Sequence, residues 1–504
     1  MTYLTTPIYY VNDAPHVGHA YTTVIADALA RWQRLRGRPT RLITGTDEHG
    51  LKVQRAAEAA GVAPAALASS NAGRFRAAWD RLGIGYAEFV RTTEERHRAV
   101  VTSLLRRVYD RGLVELGRYE GRYCVGCEAY ASVDVCPVHH RPTERVSEEN
   151  WFFRLSACEP ALAQWFAECP DAVRPAARRN EALGLLRQGL SDFSISRTSI
   201  TWGVPLPWDP EHVTYVWFDA LGAYLTAAGW TGDGAGPGSW WPAHHIIGKD
   251  ILRFHAIYWP AILLGAGLEP PRRITVHGFL LDGGDKISKS GRRSALGSLD
   301  ALIDLVGADG LRYHLLRSTP IGPDGDFTVG AVVARYNADL ANTLGNLVAR
   351  VAALVASRHA GAGPAPAADS PLSTVAARCT DEATRAWEDD QPAAALAAVW
   401  RLVAATNAYL VRARPWSRPP DSPEATAALG DALEALRIVA LLAWPAIPAT
   451  AEEIWRRLGL AGVVGPIEDA RLPSAAAWGG YPAGTQVTRA TPLFPRLTGD
   501  TVQV

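Results

Sequence analysis

Residues 3–12, Tyr-Leu-Thr-Thr-Pro-Ile-Tyr-Tyr-Val-Asn, form a β-branched and aromatic run that reads as a strand. After the turn Asp-Ala-Pro-His-Val-Gly-His, helical apolar spacing runs from Ala20 to about Arg36. Residues 41–46 make a second short apolar strand ending at Asp47-Glu48-His49-Gly50, and a helical stretch follows to about Ala60. Such a βαβα opening predicts a parallel sheet. From about Gly112 to Glu144 the helical period disappears and Gly, Tyr, Cys and His dominate, which marks a small insert. Residues 151–200 regain structure, 213–218 return to strand, and a Gly-rich loop covers 231–238. A helical Lys249–Leu264 and a strand at 274–281 complete a second α/β half, with the ligand crevice expected outside the strand C-termini. Beyond Ser290, Arg312–Arg317, Val329–Ser357, Thr374–Arg412 and Pro423–Leu460 carry Ala, Leu and Val at helical spacing, the pattern of a bundle. Ala360–Pro371 reads as a flexible loop between helices.

The 504 residues suffice for about three domains. No uninterrupted apolar run reaches the ~18 residues of a membrane span, and the N-terminus lacks the basic start and apolar core of a secretory signal. The expectation is no membrane association and a cytoplasmic location. Lys+Arg 51 balances Asp+Glu 51, so no general cationic coat for nucleic acid exists, although a local basic patch remains compatible. Of those 51 basic residues 47 are Arg, and the four lysines are Lys52, Lys249, Lys286 and Lys289. In so Arg-biased a chain, a retained Lys points to a need for a compact ammonium.

His16-Val17-Gly18-His19 sits at the turn between the first strand and its helix. Two imidazoles on a first helical turn face one pocket, Gly18 lets a ligand approach the backbone, and the helix N-terminus favours an anion. Downstream, Lys286-Ile287-Ser288-Lys289-Ser290 offers two ammonium groups able to stabilise charge on a leaving pyrophosphate. Cys124-x-x-Cys127 and Cys136-x-x-His139 are two chelating pairs whose three thiolates and one imidazole fit a closed structural Zn²⁺ site, with His140 as an alternative to His139. Tyr10, Trp217, Tyr224, His255 and Trp259 are large, flat or polarizable, a lining suited to a thioether. The spacing Ile251, His255, Trp259 predicts one helix face.

These motifs, in this order on an α/β background, resemble the paired signatures of class I aminoacyl-tRNA synthetases. The resemblance extends to Thr5–Asn12, Gly45–Gly50, Tyr215–Ala220, Ile247–Asp250 and Val276–Phe279, all similar to the methionyl-tRNA synthetase family of the bacterial type with a single zinc knuckle. It implies an α/β Rossmann-type parallel sheet with a zinc-containing connective insert and a C-terminal α-helical bundle. Residues 1–111 and 213–290 would form the two catalytic halves. Residues 112–212 would form the insert, with the knuckle at about 121–145, and 291–328 a stem-contact region. Residues 329–480 would form an anticodon-binding bundle and 481–504 a tail.

The implied activity is ATP-dependent activation of L-methionine and transfer to initiator and elongator tRNA(Met) with a CAU anticodon. ATP, Mg²⁺ and one structural Zn²⁺ would serve it, without a covalent protein intermediate. By resemblance, His16, His19, Lys286 and Lys289 are catalytic. ATP binding falls to His16, Gly18, His19, Arg197, Gly248, Lys249, Asp250, His277, Gly278, Lys286, Ser288 and Lys289. Ile8, Tyr10, Trp217, Ala220, Leu221, Tyr224, Ile251, His255 and Trp259 match the positions that enclose methionine, and Asp47 the carboxylate that meets its α-ammonium. Asn346, Arg350 and Trp416 match the anticodon readers; amides, guanidinium and a stacking indole suit unpaired bases. Ile287 departs from the family's usual Met, and Gly291-Arg292-Arg293-Ser294 from its usual run. The chain ends soon after the bundle, so a monomer is expected.

Overall fold

The computed structural model describes residues 1–125, 129–131, 133–136, 141–234, 236–282, 284–286, 298–419 and 422–498. They fall into two compact units. One comprises Met1–Pro15, Arg41–Ala77 and Tyr86–His277; the other comprises His16–Thr40, Ala78–Gly85 and Gly278–Val504.

The first unit is built on a six-stranded sheet in the order Glu88–Arg91, Thr40–Asp47, Thr2–Tyr10, His244–Gly248, Arg273–His277, Val173–Arg174. Parallel registers include Leu4↔His244, Ile246↔Thr275 and Thr44↔Phe89, as the alternation of strands and helices requires. Tyr10, Gly248 and His277 therefore end adjacent parallel strands on one edge, the edge where α/β folds hold ligands. The core beneath includes Tyr3, Ile43, Val90, Leu104, Phe218, Leu225, Ile257 and Ile274, all buried. An antiparallel ribbon pairs Val114–Cys124 with Glu144–Phe153, from Val114↔Phe153 to Tyr123↔Glu144, and carries Cys124 at one end.

Several elements differ from the sequence expectation. Only Val213–Thr214 of 213–218 is strand, pairing with the two-residue Ser196–Arg197, and Val216–Ala227 is a helix. That helix is buried on nearly every side, so its sequence is an apolar run without the period of a surface helix. The strand expected at 274–281 divides into Arg273–His277 and Leu280–Asp282, which join different sheets. Lys249–Leu264 is not one regular helix but a 3₁₀ turn (Lys249–Ile251), a π segment (Phe254–Tyr258) and an α-helix (Trp259–Ala266). The wider π turn shifts the simple face expected of Ile251, His255 and Trp259.

In the second unit, helix Val17–Leu35 accompanies Leu299–Ser318, two helices joined where Gly307 adopts φ 71°, and the bundle helices Pro371–Glu388, Pro392–Ala413, Pro423–Ala443 and Pro448–Arg457. Thr374–Arg412 is thus two helices, broken where Asp390 adopts φ 57° just before Pro392. Ala360–Pro371 is tied down rather than loose: Ala362 bridges Gln486, and the Ala367 N–H donates to Asp431 at 2.8 Å. By length and composition Val329–Arg358 and Pro392–Ser417 could cross a membrane, contrary to expectation. Their apolar windows are 44% and 50% buried, so packing within the bundle accounts for that character.

Candidate active site

The strand ends and the helical segments packed against them assemble an aromatic cluster in the first unit. The Tyr10 ring meets Trp217 edge-on at 6.1 Å, and Trp217 stacks on Phe254 at 3.7 Å with planes 7° apart. Tyr224 lies 6.2 Å from the Trp259 ring, and its hydroxyl is 2.8 Å from His255 Nε2. His255 Nδ1 lies 3.0 Å from the Ile251 carbonyl, which can only accept, so Nδ1 carries the ring proton and Tyr224 donates to Nε2. Burial pushes the His255 pKa down to about 4, which keeps the ring neutral near pH 7. His245 follows the same logic: the Trp259 indole donates to Nε2 at 3.2 Å, leaving Nδ1 to bond Thr5 Oγ1 at 2.7 Å. Burial also holds the His245 pKa well below the usual value. Ala220 and Leu221 are buried on the Trp217 helix, while Ile8 and Ile251 pack against this core half-buried.

Asp47 ends its strand, almost fully buried, with its carbonyl accepting the Val11 N–H at 3.3 Å beside Tyr10. Lys52 places its ammonium 5.0 Å from the Tyr10 ring centre. Arg197 is buried between the Tyr215 and Tyr123 rings, at 4.4 and 5.3 Å, and donates to Ser194 Oγ and the Ser196 carbonyl. It borders a cavity of about 320 Å³ together with Gly50, Arg55, Tyr123, Glu144 and Tyr215. Gly248 closes its strand where a Cβ would lie 2.7 Å from the Asp250 carboxylate, so a larger residue would displace that carboxylate. Lys249 and Asp250 open the following 3₁₀ turn.

In the second unit, His16 is the N-cap of helix Val17–Leu35, a place usually held by Ser, Thr, Asp or Asn. Its Nδ1 accepts the Gly18 N–H at 3.0 Å, and His19 Nδ1 accepts the His16 N–H at 3.2 Å. The two imidazoles reproduce the reciprocal capping box. Because each Nδ1 accepts, each ring proton resides on Nε2, and the stacked rings, 3.7 Å apart, are both donors at that atom. A Cβ on Gly18 would come within 2.8 Å of His16 Cε1. Gly278 is equally constrained, since its Cβ would stand 2.0 Å from the Pro323 carbonyl. The Lys286 backbone pairs with Leu281 in a short antiparallel strand; Ser288 and Lys289 lie outside the described residues, as do Ile287, Arg292 and Arg293.

Asn346 and Arg350 lie on helix Asn346–Arg358, Asn346 exposed and Arg350 half-buried with a 2.5 Å bond to Asn407. Trp416 is 40% exposed in the turn Pro415–Ser417, whose carbonyl at Trp416 accepts from Arg358. Of the four residues expected to hold zinc, Cys124 and Cys136 are buried, while Cys127, His139 and the alternative His140 lie outside the described residues. Among the described residues no three His, Cys, Asp or Glu side chains gather as a metal group.

Sequence reasoning missed His245, Phe254, Glu48, His49, His97 and Asp219. Phe254 sits among helical positions already singled out; Glu48, His49 and Asp219 lie inside the quoted motifs; His97 carries no sequence signal.

A parallel sheet with an aromatic cluster at its strand ends, a His-x-Gly-His helix start and a following helical bundle define a class I aminoacyl-tRNA synthetase fold. Residues 2–145 and 132–352 match the family model described as tRNA synthetases class I (M), and 368–503 match the anticodon binding domain of methionyl tRNA ligase. A methionine–tRNA ligase of Streptomyces coelicolor is 43% identical over 98% of this chain and 96% of its own. One from Synechocystis is 41% identical over 98% and 97%. Among solved structures, Mycobacterium tuberculosis methionyl-tRNA synthetase in complex with methionyl-adenylate superposes with a TM-score of 0.91 at 38% identity, over 98% of this chain and 99% of that one. The chain belongs to the methionyl-tRNA synthetase family.

Proposed function

We propose that this chain is a methionine–tRNA ligase: it activates L-methionine with ATP to methionyl-adenylate, releasing pyrophosphate, and transfers the methionyl group to tRNA(Met). The observation that carries the reading is the clustering of Tyr10, Trp217, Tyr224, His255 and Trp259, in a chain 43% identical over nearly its whole length to a methionine–tRNA ligase. Its neutral histidine and flat rings suit an uncharged, polarizable thioether and reject a charged side chain.

In the first step the methionine carboxylate oxygen attacks the α-phosphorus and the bond to pyrophosphate breaks. Asp47 accepts the α-ammonium, and the aromatic pocket excludes water from the side chain. The Nε2–H groups of His16 and His19, with the ammonium groups of Lys286 and Lys289, stabilise charge developing on the phosphates. Arg197, Gly248, Lys249, Asp250, His277, Gly278 and Ser288 complete the ATP contacts. In the second step a 3′-terminal tRNA hydroxyl attacks the carbonyl carbon, loses its proton, and AMP departs. Mg²⁺, when bound to ATP, supplies further charge neutralisation. Three thiols and an imidazole suit a tetrahedral Zn²⁺, so Cys124, Cys127, Cys136 and His139 would hold it and brace the end of the ribbon; the buried thiols of Cys124 and Cys136 fit that role. Asn346, Arg350 and Trp416 read the CAU anticodon. We place the enzyme in the cytoplasm.

ATP–pyrophosphate exchange measured with each of the twenty amino acids tests the activation step. Methionine alone should support rapid exchange, and exchange with a branched aliphatic amino acid but not methionine would overturn the reading.

A further inference from the structure

The turn Thr46–Gly50 that carries Asp47 is held from two sides by buried ionic groups. Glu48, fully buried, accepts from Arg91 Nε at 2.6 Å, Arg91 Nη2 at 3.0 Å, Thr46 Oγ1 at 2.7 Å and Thr93 Oγ1 at 2.5 Å, and its N–H donates to Thr92 Oγ1 at 2.9 Å. The adjacent His49, also buried, bonds Asp219 Oδ2 through Nδ1 at 2.6 Å. Asp219 Oδ1 in turn bonds His97 Nε2 at 2.7 Å, and His97 Nδ1 meets Thr226 Oγ1 at 3.1 Å. Burial alone would raise the Asp219 pKa, but charge and hydrogen bonds from His49 and His97 outweigh it and keep the carboxyl well below its usual range.

Two features separate this array from ordinary core. Replacing buried ionic groups by apolar side chains of similar volume is often neutral or stabilising, so an ionised Asp219 between two imidazoles is weakly explained by stability. Secondly, Asp219 lies on helix Val216–Ala227, which also carries Trp217, Ala220, Leu221 and Tyr224. The Asp219–His49 bond therefore ties the Asp47 turn to the helix that lines the side-chain pocket.

We propose that Asp219, backed by His97, is a positioning residue for the methionine α-amino group: by holding His49 it fixes the Asp47 carboxylate at a set separation from the thioether subsite. The proposal rests on Asp47 meeting the α-ammonium. The paired clamps make that separation a property of buried bonds rather than of a surface turn, so the enzyme selects the length between ammonium and sulfur as well as the sulfur itself.

The test compares methionine with 4-(methylthio)butanoate, the same chain without the amino group, as an inhibitor of exchange. Asp219→Asn should raise KM for methionine on the order of tenfold while KM for ATP, kcat at saturating methionine and the analogue's Ki stay within about twofold. His97→Gln, which leaves the Asp219–His49 bond, should move the same parameter by less and serves if Asp219→Asn does not fold. Asp47→Asn should raise KM for methionine, and the Asp47→Asn/Asp219→Asn pair should lose little more than Asp47→Asn alone. A Ki rising in parallel with KM, an unchanged KM, or fully additive losses would overturn the proposal. If Asp47→Asn leaves KM unchanged, the Asp47 reading fails first; if it moves KM and neither Asp219→Asn nor His97→Gln does, the positioning role alone fails.

Discussion

Replacing Asp27 by Ala should destabilise the second unit severely, and more than removing its partner Arg31. Asp27 lies inside helix Val17–Leu35, fully buried. Its Oδ2 accepts from Arg312 Nη2 at 2.6 Å and Arg31 Nε at 2.9 Å, and its Oδ1 accepts the Gly85 N–H at 2.8 Å. Arg312 is equally buried, and its other bonds go to the neutral carbonyls of Ala446, Pro445 and Leu82. Truncating Asp27 leaves this guanidinium in the core without a bonded carboxylate, a loss worth about 3–5 kcal/mol. Arg31 also bonds the Gly83 carbonyl at 2.8 Å and lies over the Trp444 ring, but losing it leaves Asp27 paired with Arg312 and strands no buried charge, so Arg31→Ala should cost about 1–2 kcal/mol. At about 2–4 °C per kcal/mol for a unit of this size, Asp27→Ala should lower the calorimetric Tm by about 10 °C or more, and Arg31→Ala by a few degrees. Asp27→Asn, which keeps an acceptor but no charge, should fall between them. Equal shifts for Asp27→Ala and Arg31→Ala, or a loss under about 1 kcal/mol for Asp27→Ala, would refute the reasoning.

Further outcomes follow from other parts of the molecule. His255 titrates near 4 when folded and near ~6.5 when unfolded, so the unfolded chain takes up the extra proton between those values. Its contribution is complete above about pH 6.5 and lost as the pH falls toward 4, on the order of 3 kcal/mol. His314, also lowered to about 4 by burial and Arg335, adds to the slope. Urea unfolding from pH 4.5 to 7.5 should show a shallower pH dependence for His255→Gln than for the wild type; an identical slope would contradict the assignment. Gly430→Ala would set a Cβ 2.0 Å from the Ala365 carbonyl and should destabilise by about 1–3 kcal/mol in thermal unfolding, whereas a neutral result would mean that the backbone contact yields freely. Metal analysis of the purified protein should find one zinc per chain, and Cys124→Ser should lose it; a full zinc content in Cys124→Ser would remove Cys124 from the ligand set. Trp416→Ala should lower kcat/KM for tRNA by the loss of one stacked base, about 1–3 kcal/mol, with exchange untouched; loss of exchange would place Trp416 elsewhere.

Elements with a strong amphipathic period were legible in the sequence, and those defined by a cap or by complete burial were not. Helix Val17–Leu35 begins three residues before the apolar pattern suggests, because its capping box uses His16 and His19 rather than a hydroxyl and a carboxylate. Helix Val216–Ala227 was hidden because a segment buried on all sides has no polar face to reveal its period. The aromatic cluster of Tyr10, Trp217, Tyr224 and Trp259 was legible as a set of large side chains within the motifs that carry the family resemblance. Its supporting bonds were not: nothing local to His97 announces that its ring will meet Asp219, 122 positions away. Likewise Asp27 and Arg312 are 285 residues apart and look like ordinary helix-surface charges until the second unit folds around them.

The most direct measurement is the charging of an unmodified tRNA transcript bearing the CAU anticodon with radiolabelled methionine, beside the same transcript carrying a different anticodon. ATP-dependent esterification of methionine to the CAU transcript is expected, with a loss of several orders of magnitude for the altered one. Methionine-dependent exchange without any charging of the CAU transcript would contradict the ligase reading.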